Sequence, residues 1–250
     1  MLYSAKYGFI YSKSVKTAST STEAALQYLI TDKFSTHKTI SKLYPDGSRI
    51  GFRGAIEDKK RDPNFNTSEF SKNHQSLKKT KEMIGVENFN AAFKISSIRN
   101  PYDRLISAFH FSTKQKVSDF IALKRNNRID EIKNRFAYYV RNHSSSFYDG
   151  SEHFFCDCKM MIDKFVRMES ITHDIEEIFD HLKVPQKTSQ IILSKFPQYK
   201  KTERADCPLV FSDYYTEKIL HIINKRMSNW FDLGNYVRCQ SIEELREYHG

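Results

Sequence analysis

The sequence predicts an α/β protein in which short strands alternate with amphipathic helices around a mainly parallel sheet. Three observations carry that prediction. The apolar run Tyr7-Gly8-Phe9-Ile10-Tyr11 leads into a polar turn and then an apolar helical face. The same order recurs where Phe93 to Ile98 meets Arg99-Asn100-Pro101 and a second helical stripe. No Pro/Gly/Ser-rich linker, repeat or low-complexity tract interrupts the chain. Alternation of this kind places ligands at the C-terminal ends of the strands.

Residues 7–11 are aromatic or β-branched apart from Gly8, the composition of a short buried strand. Ala24, Ala25, Leu26, Leu29 and Ile30 give residues 22–30 an apolar helical face. Thr20 with Glu23 fits a capping box at its start. Between strand and helix lie Lys16, Thr17, Ala18, Ser19, Thr20 and Ser21. Backbone N–H groups at a helix N-terminus bind phosphate, hydroxyls add donors, and a lysine adds a compact positive charge. This is not a Walker A loop, which needs G-x-x-x-x-G-K-S/T, because the turn has no glycine. Residues 31–66 are polar, with turn signals at Pro45-Asp46-Gly47 and Asp62-Pro63 and a short strand expected at Ile50-Gly51-Phe52-Arg53-Gly54. Residues 74–85 read as a helix ending at Gly85.

The second unit starts with a strand ending at Ile98. Pro101 cannot continue a strand interior and suits the first turn of a helix. Tyr102, Leu105, Ile106 and Phe109 then recur as a core stripe. Arg99 at the strand end and Ser107 on the helix can face one anion if the turn is tight, the arginine offering a forked donor set. The plainer alternative for Arg99 is an ion pair with Asp103. Residues 114–140 are charged and helix-prone, while 141–160 are irregular and suit a loop over a substrate site. Asp174 and Glu177 are placed to cap a helix whose stripe is Ile175, Ile178, Phe179 and Leu182, with Pro185 after its end. Another helix is expected over 186–195, and the clearest one over 214–230, with Ile219, Ile222, Ile223, Met227 and Trp230 as its core face.

These motifs resemble those of one family. Lys16-Thr17-Ala18-Ser19-Thr20-Ser21 is similar to the 5′-phosphosulfate loop of PAPS-dependent sulfotransferases, where P-K-T-G-x-T/S is usual. Arg99-Asn100-Pro101-Tyr102-Asp103-Arg104-Leu105-Ile106-Ser107 is similar to their 3′-phosphate motif, R-N/D-P-x-x-R-x-x-S. The nearest branch is the carbohydrate sulfotransferases, Golgi-type and bacterial. Asn73-His74-Gln75-Ser76 lies where that branch often has a histidine. Asp163 to Ile171 resembles its "grFE-n-l" strand, and Tyr214 to Tyr236 its C-terminal "yyt…D…fgY" segment. The resemblance spans roughly residues 7–236. In the first motif Val15 stands where the family usually has Pro, and Ala18-Ser19 where it often has Gly-Gly or Ala-Gly.

The resemblance implies a P-loop-like three-layer fold, with helices flanking the sheet. It implies PAPS as sulfonyl donor and PAP as product. Lys16, Thr17, Ala18, Ser19, Thr20 and Ser21 would hold the 5′-phosphosulfate, and Arg99 and Ser107 the 3′-phosphate. Lys16 would also meet charge on the leaving oxygen, and His74 would serve as general base. His143, His153, Glu57 and Glu69 are the alternative bases. Arg167 supports the site or pairs with Glu169 or Asp163, and Lys200-Lys201-Thr202 matches a basic loop that closes over the cofactor. The acceptor implied is a hydroxyl, chiefly of a glycan. No metal is required by this scheme.

A chain of 250 residues is expected to form one domain over 1–250, with acceptor-side insertions at 31–70 and 112–160. The formal net charge of +10 favours anionic partners. No stretch approaches the ~20 apolar residues of a membrane helix, and the N-terminus lacks an apolar signal region, so a cytoplasmic protein is expected. Cys156-x-Cys158 is too close for an easy disulfide and lacks a second ligand pair for zinc. Three rivals remain, one of them a degenerate sulfotransferase fold that binds ligand without turnover, which the departures at Val15 and Ala18 keep open. A kinase-like P-loop phosphotransferase needs a Gly-rich loop and magnesium ligands, and neither is evident. A basic nucleic-acid-binding protein fits the charge, but the basic residues are dispersed and no recognition signature appears.

Overall fold

A computed structural model describes residues 1–34, 42–50, 74–113, 117–142, 148–197 and 209–249. Its elements run β1 (Leu2–Ser4), β2 (Phe9–Ser12), α1 (Ser19–Thr31), β3 (Lys42–Leu43), β4 (Arg49–Ile50), α2 (Leu77–Ile84), α3 (Val86–Ala91) and β5 (Phe93–Ile98). Next come α4 (Pro101–Thr113), α5 (Val117–Arg125), α6 (Ile129–Asn142), β6 (Phe155–Cys156), β7 (Lys159–Met160) and β8 (Lys164–Arg167). The chain ends with α7 (Ile171–His181), α8 (Gln186–Ser194), α9 (Glu217–Arg226), α10 (Ser228–Gly234) and α11 (Ile242–His249). Two compact units result, each from two stretches of chain: Met1–Ile98 with Gly150–Lys200, and Arg99–Asp149 with Lys201–Gly250.

The first unit holds a six-stranded sheet in the order β3-β4-β1-β2-β5-β8. Strands β2, β5 and β8 are parallel, and the pairings of β1 with β2 and β4, and of β3 with β4, are antiparallel. Helices flank this sheet, as the α/β pattern predicts. Every residue of β2 is buried, as befits a parallel strand covered on both faces. Its Phe9 and Tyr11 join Ala25, Leu26 and Leu29 of α1, Ile95 of β5, Val166 of β8 and Ile175, Ile178 and Phe179 of α7 in one core. The register sets Ser12 against Ser96, and Ile98 against Arg167, so neighbouring parallel strands finish at one edge of the sheet.

Local detail departs from expectation in four places. Helix α1 begins at Ser19, with Ala18 as a left-handed N-cap that makes no side-chain cap bond. Glu23 therefore closes no capping box with Thr20; its carboxylate goes to the buried ammonium of Lys13, a stronger demand than a spare N–H. The short β1 was not foreseen, because three residues are too few to show alternation. Asp174 does not cap α7, which already starts at Ile171. Instead its carboxylate, fully buried, accepts from the Arg167 N–H at 2.7 Å, the Arg167 guanidinium at 3.2 and 3.4 Å and the Ser170 hydroxyl at 2.9 Å. Asp163 is engaged elsewhere, accepting from the Lys94 N–H at 2.7 Å. The expected helix over 74–85 forms as α2, capped by the Ser76 hydroxyl at its start and by Gly85, at φ 83°, at its end. The expected turn at Asp62-Pro63 and residues 51–54 of the expected strand lie outside the described residues.

The second unit has an aromatic core. Phe109 meets Phe120, Phe136, Tyr139 and Tyr214, and Tyr102 meets Tyr215 and Phe231. Arg104 is 1% exposed and stacks its guanidinium on Trp230 at 3.8 Å. The helix-prone stretch 114–140 becomes α5 and α6, broken beside Asn127, whose φ of 55° an asparagine tolerates. The helix expected over 214–230 starts later, with the Thr216 hydroxyl as N-cap, and divides at Met227.

The Arg167–Asp174 group gives a test of how β8 is joined to α7. Burial pushes the Asp174 carboxyl up, but the hydrogen bonds from Arg167 and Ser170 outweigh that and hold it below the usual range. A lowered carboxyl contributes stability that is present above its unfolded value near ~3.9 and fades as pH falls through the folded value. Asp174→Ala is expected to lose about 2–4 kcal/mol at pH 7, read by chemical denaturation. The difference from the parent should shrink toward pH 3.

Candidate active site

Between β2 and α1 the backbone alternates in hand. Lys16 has φ 65° and Ala18 φ 55°, while Thr17 between them is not left-handed. Such alternation turns successive N–H groups toward one point, the concavity that proteins use for anions. Helix α1 starts directly after it, adding first-turn N–H groups and the positive end of its dipole. Lys16 is half-buried, and the other members of the turn from Thr17 to Ser21 are buried apart from Ala18.

The hydroxyls divide into two groups. Ser14 Oγ donates to the Ser97 carbonyl of β5, and Thr17 Oγ1 lies 2.8 Å from Ser14 Oγ. Since Ser14 has one proton to give, Thr17 is the donor in that pair. Ser19 Oγ donates to the Ser14 carbonyl at 2.8 Å. Thr17 and Ser19 thus spend their hydroxyls on Ser14, inside the turn. Thr20 and Ser21 stand in the first turn of α1.

Lys13 occupies the base of the turn. Its ammonium lies 2.9 Å from Glu23 Oε2, with both side chains almost wholly buried. Its carbonyl is 2.9 Å from His74 Nδ1. A carbonyl only accepts, so Nδ1 carries the proton and the neutral ring keeps its lone pair at Nε2. Burial, helped by the ammonium of Lys13 and less by His153, lowers His74 to about 3, against the opposing effect of the Lys13 carbonyl hydrogen bond. His74 also sits at φ 55°, an uncommon conformation for a ring-bearing residue and one found at functional sites. The buried His153 lies with its ring 6.2 Å from that of His74, and its carbonyl accepts from Ser12 Oγ at 2.8 Å. Glu57, Glu69, His143 and Lys200-Lys201-Thr202 lie outside the described residues.

In the second unit, Asn100 accepts from the Tyr102 N–H at 2.9 Å and so caps α4. Arg99 precedes this cap and pairs with Asp103 one turn on. Ser107 is buried in the second turn of the helix. The ion pair foreseen as the plainer role of Arg99 is present, and it steers the guanidinium from one side. Cys156 and Cys158 are free thiols, and no group of three or more metal-ligating side chains occurs among the described residues.

A model of the sulfotransferase family matches residues 1–236, which takes in both turns. The chain belongs to the sulfotransferase family. Neither curated proteins nor solved structures yield a match. This sulfotransferase-family protein is accordingly a transferase, its chemistry sulfonyl transfer to a hydroxyl-bearing acceptor. The family assignment favours that chemistry over the kinase-like and nucleic-acid-binding alternatives. No helix among the described residues is long and apolar enough to cross a membrane.

Sequence reasoning passed over Lys13 and Ser14 in this sulfotransferase turn and read Glu23 only as a capping partner. A lysine directly after a buried strand, followed by a glutamate on a mostly apolar helix face, was the available signal. The lowered His74 makes a solution prediction. A histidine whose folded value lies below its unfolded one of about 6.5 loses the folded state stability as pH falls between the two. His74→Gln removes that proton uptake, so its stability should fall less than the parent's between pH 7 and pH 4. In the parent, the His74 ring signals should stay unshifted by NMR from pH 8 to pH 5.

Proposed function

We propose that the protein moves the sulfonyl group of PAPS to a carbohydrate hydroxyl by in-line transfer. The observation that carries this reading is the left-handed Lys16 and Ala18 pair at the head of α1, inside the span matched by the family. PAPS, when bound, supplies the transferable sulfonyl group. The N–H groups of Lys16 to Thr20 and the Ser21 hydroxyl hold the 5′ end, and the Lys16 ammonium meets negative charge as it builds on the leaving oxygen. Arg99 and Ser107 hold the 3′-phosphate, Arg99 turning from Asp103 or bridging it to the ligand.

His74 Nε2 takes the proton of the acceptor hydroxyl. Its proton-bearing Nδ1 is held by the Lys13 carbonyl, which supports this assignment because the ring is then fixed in the tautomer a base requires. With the group lowered to about 3, the base form persists across the working range. The formal charge of +10 suits an acceptor that already carries sulfate or carboxylate groups.

Calorimetric titration with PAP, against AMP and ATP, tests the donor. Micromolar binding to PAP that drops sharply for AMP supports two anion subsites; equal binding of PAP and ATP overturns the reading. Lys16→Ala should lower transfer by about 10²–10³-fold with the fold retained. Arg99→Ala should chiefly weaken PAP affinity. His74→Ala should cut kcat by about 10²–10⁴-fold with little change in PAP affinity, and kcat/KM of the parent should stay flat from about pH 5 to 8.

A further inference from the structure

We infer that Ser14 is a positioning residue for the 5′ anion: its buried hydroxyl and carbonyl hold Lys16 and Ala18 in the left-handed conformation that shapes the concavity. The inference rests on the sulfotransferase reading of this turn.

The argument starts from strain. A left-handed residue other than glycine is disfavoured by roughly 1–2 kcal/mol, because Cβ crowds the following carbonyl. The turn contains two such residues within three positions and no glycine to relieve them. Strain of this kind persists only where surrounding contacts over-determine the conformation. Ser14 is where those contacts converge. It is fully buried. Its hydroxyl reaches β5 through the Ser97 carbonyl and receives the Thr17 hydroxyl, and its carbonyl receives the Ser19 hydroxyl. One residue therefore ties the left-handed pair to the strand behind it and to the helix ahead. Ser97 is itself fixed, since its hydroxyl pairs with that of Tyr11, which is also within reach of the Ser19 carbonyl. Ser14 has no exposed surface through which to touch a ligand, so any effect on binding passes through the turn.

The strain suggests its own rescue. Glycine adopts φ near +55° freely. Ala18→Gly should remove part of the need for the Ser14 contacts.

The experiment compares the parent, Ser14→Ala, and Ser14→Ala with Ala18→Gly, titrated with PAP and separately with adenosine 3′-phosphate. Ser14→Ala should weaken PAP about tenfold, equivalent to one net hydrogen bond, and leave adenosine 3′-phosphate within about twofold. The double variant should recover part of the loss, since Ala18→Gly relieves one of the two left-handed residues. Equal weakening of both ligands, or PAP affinity equal to the parent's in folded Ser14→Ala, overturns the inference. Tyr11→Phe loosens the same network from its far side and is expected to lose about threefold, which keeps the test open if Ser14→Ala does not fold. The backbone couplings of Lys16 and Ala18 are measured in the same variants without ligand. They follow φ, so they separate the two ideas. If the parent ignores PAP, the donor reading fails on its own. Couplings that depart from left-handed values in the Ser14 or Tyr11 variant still support the role of Ser14, and unchanged couplings refute it.

Discussion

Lys13 works at both of its ends, and the first unit is arranged around that fact. Its ammonium meets Glu23 across the turn, and its carbonyl meets His74. Burying two charges is costly, and the pair in itself is weak grounds for stability. What it does is geometric. It closes the chain from β2 to α1 at the base, so the segment between leaves and returns at fixed points. The Glu23 carboxylate also faces the buried N-terminal ammonium of Met1 at 3.9 Å, so the pair belongs to a small buried charge cluster, and deleting one member of such a cluster costs roughly 3–5 kcal/mol. The same lysine raises the cost of a proton on His74. One residue that is 2% exposed thus fastens the base of the turn and adds to the lowering of the imidazole that burial begins.

The architecture was legible where composition and period spoke together. The runs at Phe9 and Ile95 announced parallel strands, Pro101 announced α4, and the stripe from Ile175 to Leu182 announced α7. The short β1 was silent, as three residues show no period. The division of α9 from α10 at Met227 was hidden because the apolar stripe runs on through the break. Asp174 looked like a cap because sequence offers no view of a buried carboxylate answering a strand-end arginine.

The site was legible as a list of residue types and less so as geometry. Lysine and hydroxyls after a strand pointed to an anion turn. Which hydroxyls face inward depends on Ser14 and Ser97, more than eighty positions apart. The missing glycine looked like a weakness in the motif. Two left-handed residues take its place, so the turn's shape is written in its hydroxyl network and not in a local residue preference. The histidine beside the turn was found by resemblance, but its tautomer comes only from the carbonyl it meets.

The cation stacked on Trp230 has a consequence for how the molecule can be observed. The chain contains one tryptophan, and it lies in the second unit, with its indole N–H donated to the Asp149 carbonyl at 3.1 Å. Its emission therefore reports the packing of Trp230 within the second unit. The backbone signal, by contrast, sums the helices and strands of both units. Two optical probes on unmodified protein are enough to tell whether a chain that crosses between its units in both directions melts in one step or in two.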